Sequence, residues 1–195
     1  TYRIAVDGYF GEEGTISLTL AGTPPATNDD FAKRAPITGV NRTIRSSNFG
    51  ATVEAPEPFH CGDPGGASVW WTWTAPSNVA VSISTAGSTY DTILAVYTGA
   101  SYAALSPLVC NDDRIPEAFP SVVTSEVSFN AVAGLTYQIA VEGLGDGVDA
   151  EQGNITLSLV TTPANDPFAN HTPLSGAFAE ASGYNIRATR QTGEP

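Results

Sequence analysis

The chain contains two partial copies of itself. Residues 1–8 (TYRIAVDG) return as residues 136–143 (TYQIAVEG), at an offset of 135 residues. Residues 28–58 match residues 165–195 without a gap at an offset of 137, and both segments end on Glu-Pro. A repeat of about 130 residues has the size of an independent domain. We therefore expect each copy to fold as a bead with its own core, not as a short solenoid unit.

The spacing of the copies divides the chain into five predicted segments. They are the C-terminal strands of a preceding repeat (1–22), a linker (23–27), one complete repeat (28–160), a second linker (161–164) and the N-terminal part of the next repeat (165–195). Both linkers contain proline, which restricts neighbouring beads to an extended arrangement. An array of this kind is more typical of spacers, adhesins and fibrous proteins than of enzymes.

The copies differ in the length of one loop. Gly8 corresponds to Gly143 at an offset of 135, whereas Gly14 corresponds to Gly153 at an offset of 139. The loop that follows Gly143 is therefore predicted to be four residues longer than the loop that follows Gly8.

The apolar pattern is that of β-strands. Runs of residues alternate between apolar and polar, or are continuously apolar, and they stop at Gly, Pro, Asn or Asp. Seven runs lie in the complete repeat: 68–74, 79–85, 92–97, 108–110, 126–129, 136–142 and 154–160. No segment shows a convincing helical period. This pattern predicts an all-β fold, an antiparallel β-sandwich of the jelly-roll or immunoglobulin-like kind, with such beads in tandem.

Charge and motif content exclude several classes of protein. The formal charge is −12 and the pI is near 4.3, and a surface of that sign repels the phosphates of nucleic acid. The sequence has no apolar stretch long enough to insert in a membrane. It also lacks a Gly-x-Ser-x-Gly elbow, a His-Glu-x-x-His motif and a phosphate loop. We therefore expect a protein that is not an enzyme, with no nucleic-acid partner and no membrane insertion in this segment.

Cys61 and Cys110 both lie in the complete repeat. An even number of cysteines in an exported β-protein favours a disulfide, and a lone pair without further ligands at zinc spacing makes a poor metal site. We expect a Cys61–Cys110 disulfide and a secreted, extracellular or cell-surface location. His60 precedes Cys61 and is expected to be a surface or capping histidine.

Several motifs occur in a fixed order. They are NDDFA (28–32), EP (57–58), GGASVWWTWTAP (65–76), YDTILAVYTG (90–99), NDD (111–113) and GLTYQIAV (134–141). Together they resemble the bacterial pre-peptidase C-terminal (PPC) domains, which are related to the collagen-binding domains of clostridial collagenases. The resemblance covers residues 28–160. It implies a jelly-roll-like sandwich of secreted proteins, often repeated, with no catalysis of its own; some relatives bind Ca²⁺ and some bind collagen.

Five oxygen-bearing side chains are candidate ligands for Ca²⁺: Glu57, Asp91, Asn111, Asp112 and Asp113. A disulfide brings two Cα atoms to about 5.5–6 Å, so the Glu57 loop beside Cys61 is expected to lie near the acidic run after Cys110. Ca²⁺ takes six to eight oxygen ligands, several of which these residues can supply. The alternative is that Asn and Asp here cap turns through local backbone hydrogen bonds.

The sequence also contains candidate sites for glycosylation and for aromatic stacking. Three sequons make Asn41, Asn154 and Asn170 candidates for glycosylation, provided that the producing cell glycosylates exported proteins. In the strand 68–74, Trp71 and Trp73 lie on one face and Trp70 on the other. An exposed Trp70, with Tyr90 nearby, is a candidate for stacking on a sugar, and the alternative is that both are core residues.

Two classes of function follow from these patterns. The first is a structural or adhesive segment of a large secreted or cell-surface protein, a stalk or filament whose partners are neighbouring repeats or copies of itself. The second is an accessory module of a secreted hydrolase that binds collagen or carbohydrate, with a matrix protein or polysaccharide as its partner. The second class requires an exposed aromatic strip.

Overall fold

A computed structural model of the chain describes residues 3–18, 24–113, 123–146 and 149–163, and 165, 166, 169, 171–183, 185, 188 and 190. The described residues contain nine β-strands, three 3-10 turns and no α-helix. The strands are β1 (Ala35–Ile37), β2 (Arg42–Ser47), β3 (Val69–Thr74), β4 (Val79–Ser84), β5 (Thr92–Thr98), β6 (Ser106–Asn111), β7 (Glu126–Ala131), β8 (Thr136–Gly143) and β9 (Asn154–Thr161). The turns are Tyr9–Gly11, Phe31–Lys33 and Tyr102–Ala104.

The strands form a two-layer sandwich. One sheet has five strands in the order β1-β3-β8-β5-β6, and the other has four in the order β2-β9-β4-β7. Neighbouring strands are antiparallel except β1, which runs parallel to β3. The predicted all-β, antiparallel sandwich is therefore confirmed. The tandem arrangement and the five segment boundaries stay predictions, because parts of segments 1–22, 23–27, 161–164 and 165–195 lie outside the described residues.

Alternation along each strand decides which side chains enter the core. In β9, Ile155, Leu157 and Leu159 are buried, while the residues between them are more exposed. In β3, Trp71 and Trp73 pack into the same core between the sheets, and Trp70 lies on the opposite face. Burial of such large apolar side chains supplies most of the driving force for folding.

Two strands were not predicted from the sequence. β1 has only three residues and contains Pro36, and β2 (RTIRSS) has Ile44 as its one apolar residue. Both are edge strands, where polar side chains and proline are tolerated because one side of the ladder is unpaired. Strands of this composition carry no alternating apolar pattern from which they can be recognised.

The segments that flank the sandwich attach at its opposite ends. At one end, here called the lower end, the backbone N–H of Ala26 donates to the carbonyl of Phe49, which follows β2 beside the start of β9. At the upper end, the N–H of Thr162 donates to the carbonyl of Ala80 at the start of β4. β9 runs from the lower to the upper end, and its eight residues span roughly 25 Å.

Candidate functional site

Three aspartates meet at the lower end of the sandwich. Asp91 precedes β5, and Asp112 and Asp113 follow β6, its antiparallel neighbour. Because β5 begins where β6 ends, the residues just outside these two strands lie side by side. Oxygen atoms of the three carboxylates lie within 4.8 Å of one another.

The local electrostatics disfavour charge on Asp91 and Asp112. Burial, together with Asp113, Asp112, Glu151 and Asp63, raises the pKa of Asp91 to about 6. Burial, Asp113 and Asp63 also raise the pKa of Asp112. One oxygen each of Asp91 and Asp113 is buried without a hydrogen-bond partner in the described part of the chain. A bound cation would relieve both the repulsion and the missing contacts.

Asn111 acts differently from the neighbouring aspartates. Its side-chain N–H donates to the carbonyl of Asp113 at 3.0 Å, and its side-chain oxygen accepts the backbone N–H of Glu126 at 2.9 Å. These bonds hold the turn after β6, as the turn-capping alternative proposes. The hydroxyl of Ser125 also donates to the carbonyl of Asp112. The structure therefore places Asn111 beside the aspartates as a residue that shapes the turn.

The predicted position of Glu57 with the aspartates is wrong. One carboxylate oxygen of Glu57 lies 3.1 Å from His60 Nε2, and the other accepts the backbone N–H of Glu54 at 3.1 Å. The Glu57 side chain is only 2% exposed. Cys61 and Cys110 do form the expected disulfide, with Cα atoms 5.6 Å apart. The chain before Cys61 folds inward over the sheet, and this path buries the Glu57 side chain beside His60.

His60 is the centre of a buried polar network, and its expected position at the surface is wrong. It is 1% exposed, and its ring packs edge-on against Trp70 with centroids 5.2 Å apart. Nδ1 lies 2.6 Å from the Tyr97 hydroxyl, while Nε2 contacts Glu57. A neutral imidazole satisfies both contacts, since it accepts from Tyr97 at Nδ1 and donates to Glu57 from Nε2.

Glu142 adds a buried carboxyl group beside this network. Burial, followed by the charges of Glu57 and Asp63, raises the pKa of Glu142 to about 9. Hydrogen bonds from the backbone of Gly66 and His60 oppose the rise without offsetting it. Sequence reasoning missed Glu142, although one signal is present: a carboxylate directly follows the apolar residues 139–141 inside β8, opposite Ile93 of β5.

The proposed stacking role of Trp70 and Tyr90 is wrong, because both residues are buried. Trp70 is 0% exposed and Tyr90 is 5% exposed. Trp70 does lie on the outer face of the five-stranded sheet, but Phe31, Tyr102 and His60 cover it there. Tyr90 belongs to the core between the sheets. Neither ring can receive a sugar.

An apolar groove lies on the outer face of the five-stranded sheet. Its volume is about 430 Å³. The loop of Phe59, the turn at Tyr102, the edge strand β6 and the disulfide form its walls. Phe59 is 66% exposed and Leu108 is 46% exposed, so the groove presents apolar surface to solvent.

The sequons occupy different environments. Asn41 has a positive φ of 54°, and its side-chain oxygen accepts the backbone N–H of Thr161 at 3.1 Å. Asn154 is exposed at the start of β9. Asn170 lies outside the described residues. The use of these sequons stays a prediction.

The fold and the disulfide define a class: an exported, disulfide-linked β-sandwich module. The bond between Cys61 and Cys110 indicates an oxidising compartment, extracellular or periplasmic. Among the described residues, no helix has the length and apolarity that crossing a membrane requires.

Comparison with known proteins adds two distant structural likenesses. No protein-family model and no curated protein sequence matches the chain. PliG of Aeromonas hydrophila, a periplasmic inhibitor of g-type lysozyme, is similar at 14% identity and a TM-score of 0.42, over 66% of this chain and 96% of PliG. The pre-peptidase C-terminal domain of a Bacillus anthracis collagenase is similar at 16% identity and a TM-score of 0.39, over 71% of this chain and 99% of that domain. Both TM-scores are too low to carry a family or a function to this chain.

Proposed function

We propose that the chain is a segment of a large secreted or cell-surface protein built from tandem PPC-like β-sandwich beads, with a structural or adhesive role in a stalk or filament. The beads themselves catalyse no reaction. Neighbouring repeats, or copies of the same protein, are their partners.

The observation that carries this proposal is a loop closure shared by the two copies. A Cβ atom on Gly143 would collide with the carbonyl oxygen of Glu151, and a Cβ atom on Gly8 would collide with that of Glu12. Glu12 and Glu151 correspond at the offset of 139 residues that relates Gly14 to Gly153. The four extra residues therefore lie inside the loop, and both copies close it by the same glycine–carbonyl approach.

Other copied residues are those that the fold requires. Asn28 is buried, and its side chain donates to the carbonyl of Trp70 at 2.9 Å; Asn165 is its counterpart. Gly39 has a positive φ of 77°, and its counterpart Gly176 has a φ of 97°. A segment that keeps the residues needed for turns and for docking is expected to build the same fold again.

The attachment of the flanking segments at opposite ends also supports an array. If a second bead follows Thr161, it begins at the upper end of the first bead, so successive beads follow one another along one axis. A chain that entered and left at the same end would instead place its beads side by side.

Electron microscopy of the native secreted protein tests the proposal. We expect strings or fibres with an axial spacing of one or two beads. Single compact particles, with one sandwich per molecule, would contradict it and would favour a binding module. The same images taken after Ca²⁺ chelation report whether a cation contributes to the assembly.

We further propose that Asp91, Asp112 and Asp113 bind Ca²⁺ and stiffen the lower end of each bead. The close carboxylates and the buried oxygens without partners support this. Ca²⁺ accepts carboxylate and carbonyl oxygens in flexible geometry, and water completes its coordination.

The apolar groove favours the second candidate function, an accessory module that binds collagen or carbohydrate. Phe59 supplies one exposed aromatic side chain to this groove. The wild type should then bind collagen or glycan, and Phe59→Ser should bind it more weakly. Phe178→Ser is the matched control and should bind as the wild type does, because Phe178 is 99% exposed and does not line the groove. Absence of binding by the wild type would remove this candidate.

A further inference from the structure

We propose that the bead is a load-bearing element whose two force-bearing segments are both loaded in shear, along their own length. The biological use of this property rests on the proposed function, since only a chain of beads transmits tension. The geometry itself rests on the strand order and on the positions of the flanking segments.

The segment that leaves the bead is β9. Tension on Thr162 pulls β9 out through the upper end, parallel to its own axis. β9 is a central strand, paired over six positions with β2 and over four with β4. Moving β9 along its axis therefore loads both ladders at once, and no single bond at the end of the strand opens first.

The segment that enters the bead, here called the leading segment, comprises residues 26–37. It starts at the lower end, where Ala26 is bonded to Phe49, and Asn28 and Trp70 exchange two hydrogen bonds of 2.9 Å. It ends in β1, which runs parallel to β3 over three paired positions. Tension from the lower end pulls this segment along β3, again in shear.

The two segments differ in strength. β9 has eight residues and neighbours on both sides, whereas β1 has three residues and lies at a sheet edge. The leading segment is therefore the point at which the bead yields. Strand β7 lies on the far side of β4 from β9, so tension does not pass through it directly.

The disulfide limits how far a yielding bead extends. Cys61 and Cys110 are separated by 49 residues, and neither belongs to the leading segment or to β9. These residues stay looped after the bead unfolds. Reduction of the bond would release roughly 160–170 Å of additional chain, at 3.3–3.6 Å per extended residue.

Single-molecule pulling on the full chain, held by its two termini in optical tweezers, tests the proposal. Ile37→Ala removes a buried side chain of the leading segment, and Val127→Ala removes one of β7. We expect Ile37→Ala to unfold under constant load at least about tenfold faster than the wild type, because about 1.4 kcal/mol changes a rate tenfold. Val127→Ala should lower the melting temperature but leave the unfolding rate under load close to that of the wild type. Equal acceleration in both variants would overturn the proposal.

A second pulling direction covers the case in which a variant fails to fold. Handles coupled through unnatural amino acids at Arg42 and Thr162, both near the upper end, would peel β2 from β9 one bond at a time. The rupture force should be lower in this direction than through the termini. Equal forces would also overturn the proposal. This result is independent of the microscopy, so a bead that resists shear but forms no array would refute only the proposed function.

Discussion

His60 Nδ1 and the Tyr97 hydroxyl lie 2.6 Å apart, beneath a cover that excludes solvent from both groups. The contact joins the loop before the disulfide to β5, and it holds the imidazole against Trp70. Removing one partner of a buried hydrogen bond costs more than the bond contributes, because the other partner keeps its desolvation penalty.

The first prediction concerns this contact. Tyr97→Phe should lower the free energy of unfolding by about 1–3 kcal/mol, because a ring nitrogen of His60 is left without a partner. Urea denaturation measures the change. Tyr9→Phe is the matched control, since Tyr9 is 79% exposed and its substitution should change stability little. Equal effects of the two substitutions would show that the hydrogen bond contributes nothing measurable.

The second prediction concerns pH. The pKa of Glu142 is raised from 4.5 in the unfolded chain to about 9 in the folded protein, so the native state holds the proton more tightly. Its contribution to stability is fully present below pH 4.5 and is lost as the pH rises through 9. Asp91, with its pKa raised from 3.8 to about 6, adds a loss in the same direction between those values.

Melting temperatures of Glu142→Gln and the wild type, measured from pH 5 to pH 9, test this prediction. The wild type should lose stability across the range, and Glu142→Gln should lose less, because an amide does not ionise. Glu13→Gln, at an exposed position, should follow the wild type. A decline in Glu142→Gln as steep as that in the wild type would assign the pH dependence to other groups.

The third prediction concerns the disulfide. The bond closes a sequence separation of 49 residues, and a loop of that length stabilises a fold by about 4 kcal/mol in the chain-entropy model. Guanidinium denaturation of the Cys61→Ser/Cys110→Ser double variant should show a loss of this order. A loss below about 1 kcal/mol would mean that hydrogen bonds hold the loop before Cys61 in place without the disulfide.

The fourth prediction concerns Ca²⁺. Calorimetry should detect Ca²⁺ binding to the wild type, together with a rise in melting temperature, because a ligand that binds only the folded state stabilises it. Asp112→Asn and Asp113→Asn should each weaken binding, and Glu13→Gln should not. If the wild type shows neither heat nor a thermal shift, the metal proposal fails and the aspartates serve the turn alone.

Alternation along β3 is sufficient to predict which of its tryptophans share a face. Trp71 and Trp73 are two residues apart and share a face, whatever else the chain does. The same pattern places Trp70 on the other face but does not say what lies over that face. Phe31 and Tyr102, which cover it, are distant in sequence and reach it only through the fold.

The cluster of three aspartates shows a similar division. Asp91 and Asp112 flank two strands, and antiparallel pairing of those strands is enough to bring them together. The predicted position of Glu57 rests on its nearness to Cys61 in sequence. Its side-chain contacts depend on the path of the chain between the two residues, which turns the Glu57 carboxylate toward His60. Sequence distance to a cysteine does not fix the direction in which a side chain points.

In the proposed array of beads on a cell surface, the attachment of the flanking segments at opposite ends has a consequence for how the protein changes in evolution. When a gene segment that encodes one bead is duplicated, the product becomes longer by one bead and keeps its thickness. Reach from a cell surface then scales with copy number, and no side chain has to change. Length becomes a property that recombination can adjust independently of the stability of each unit.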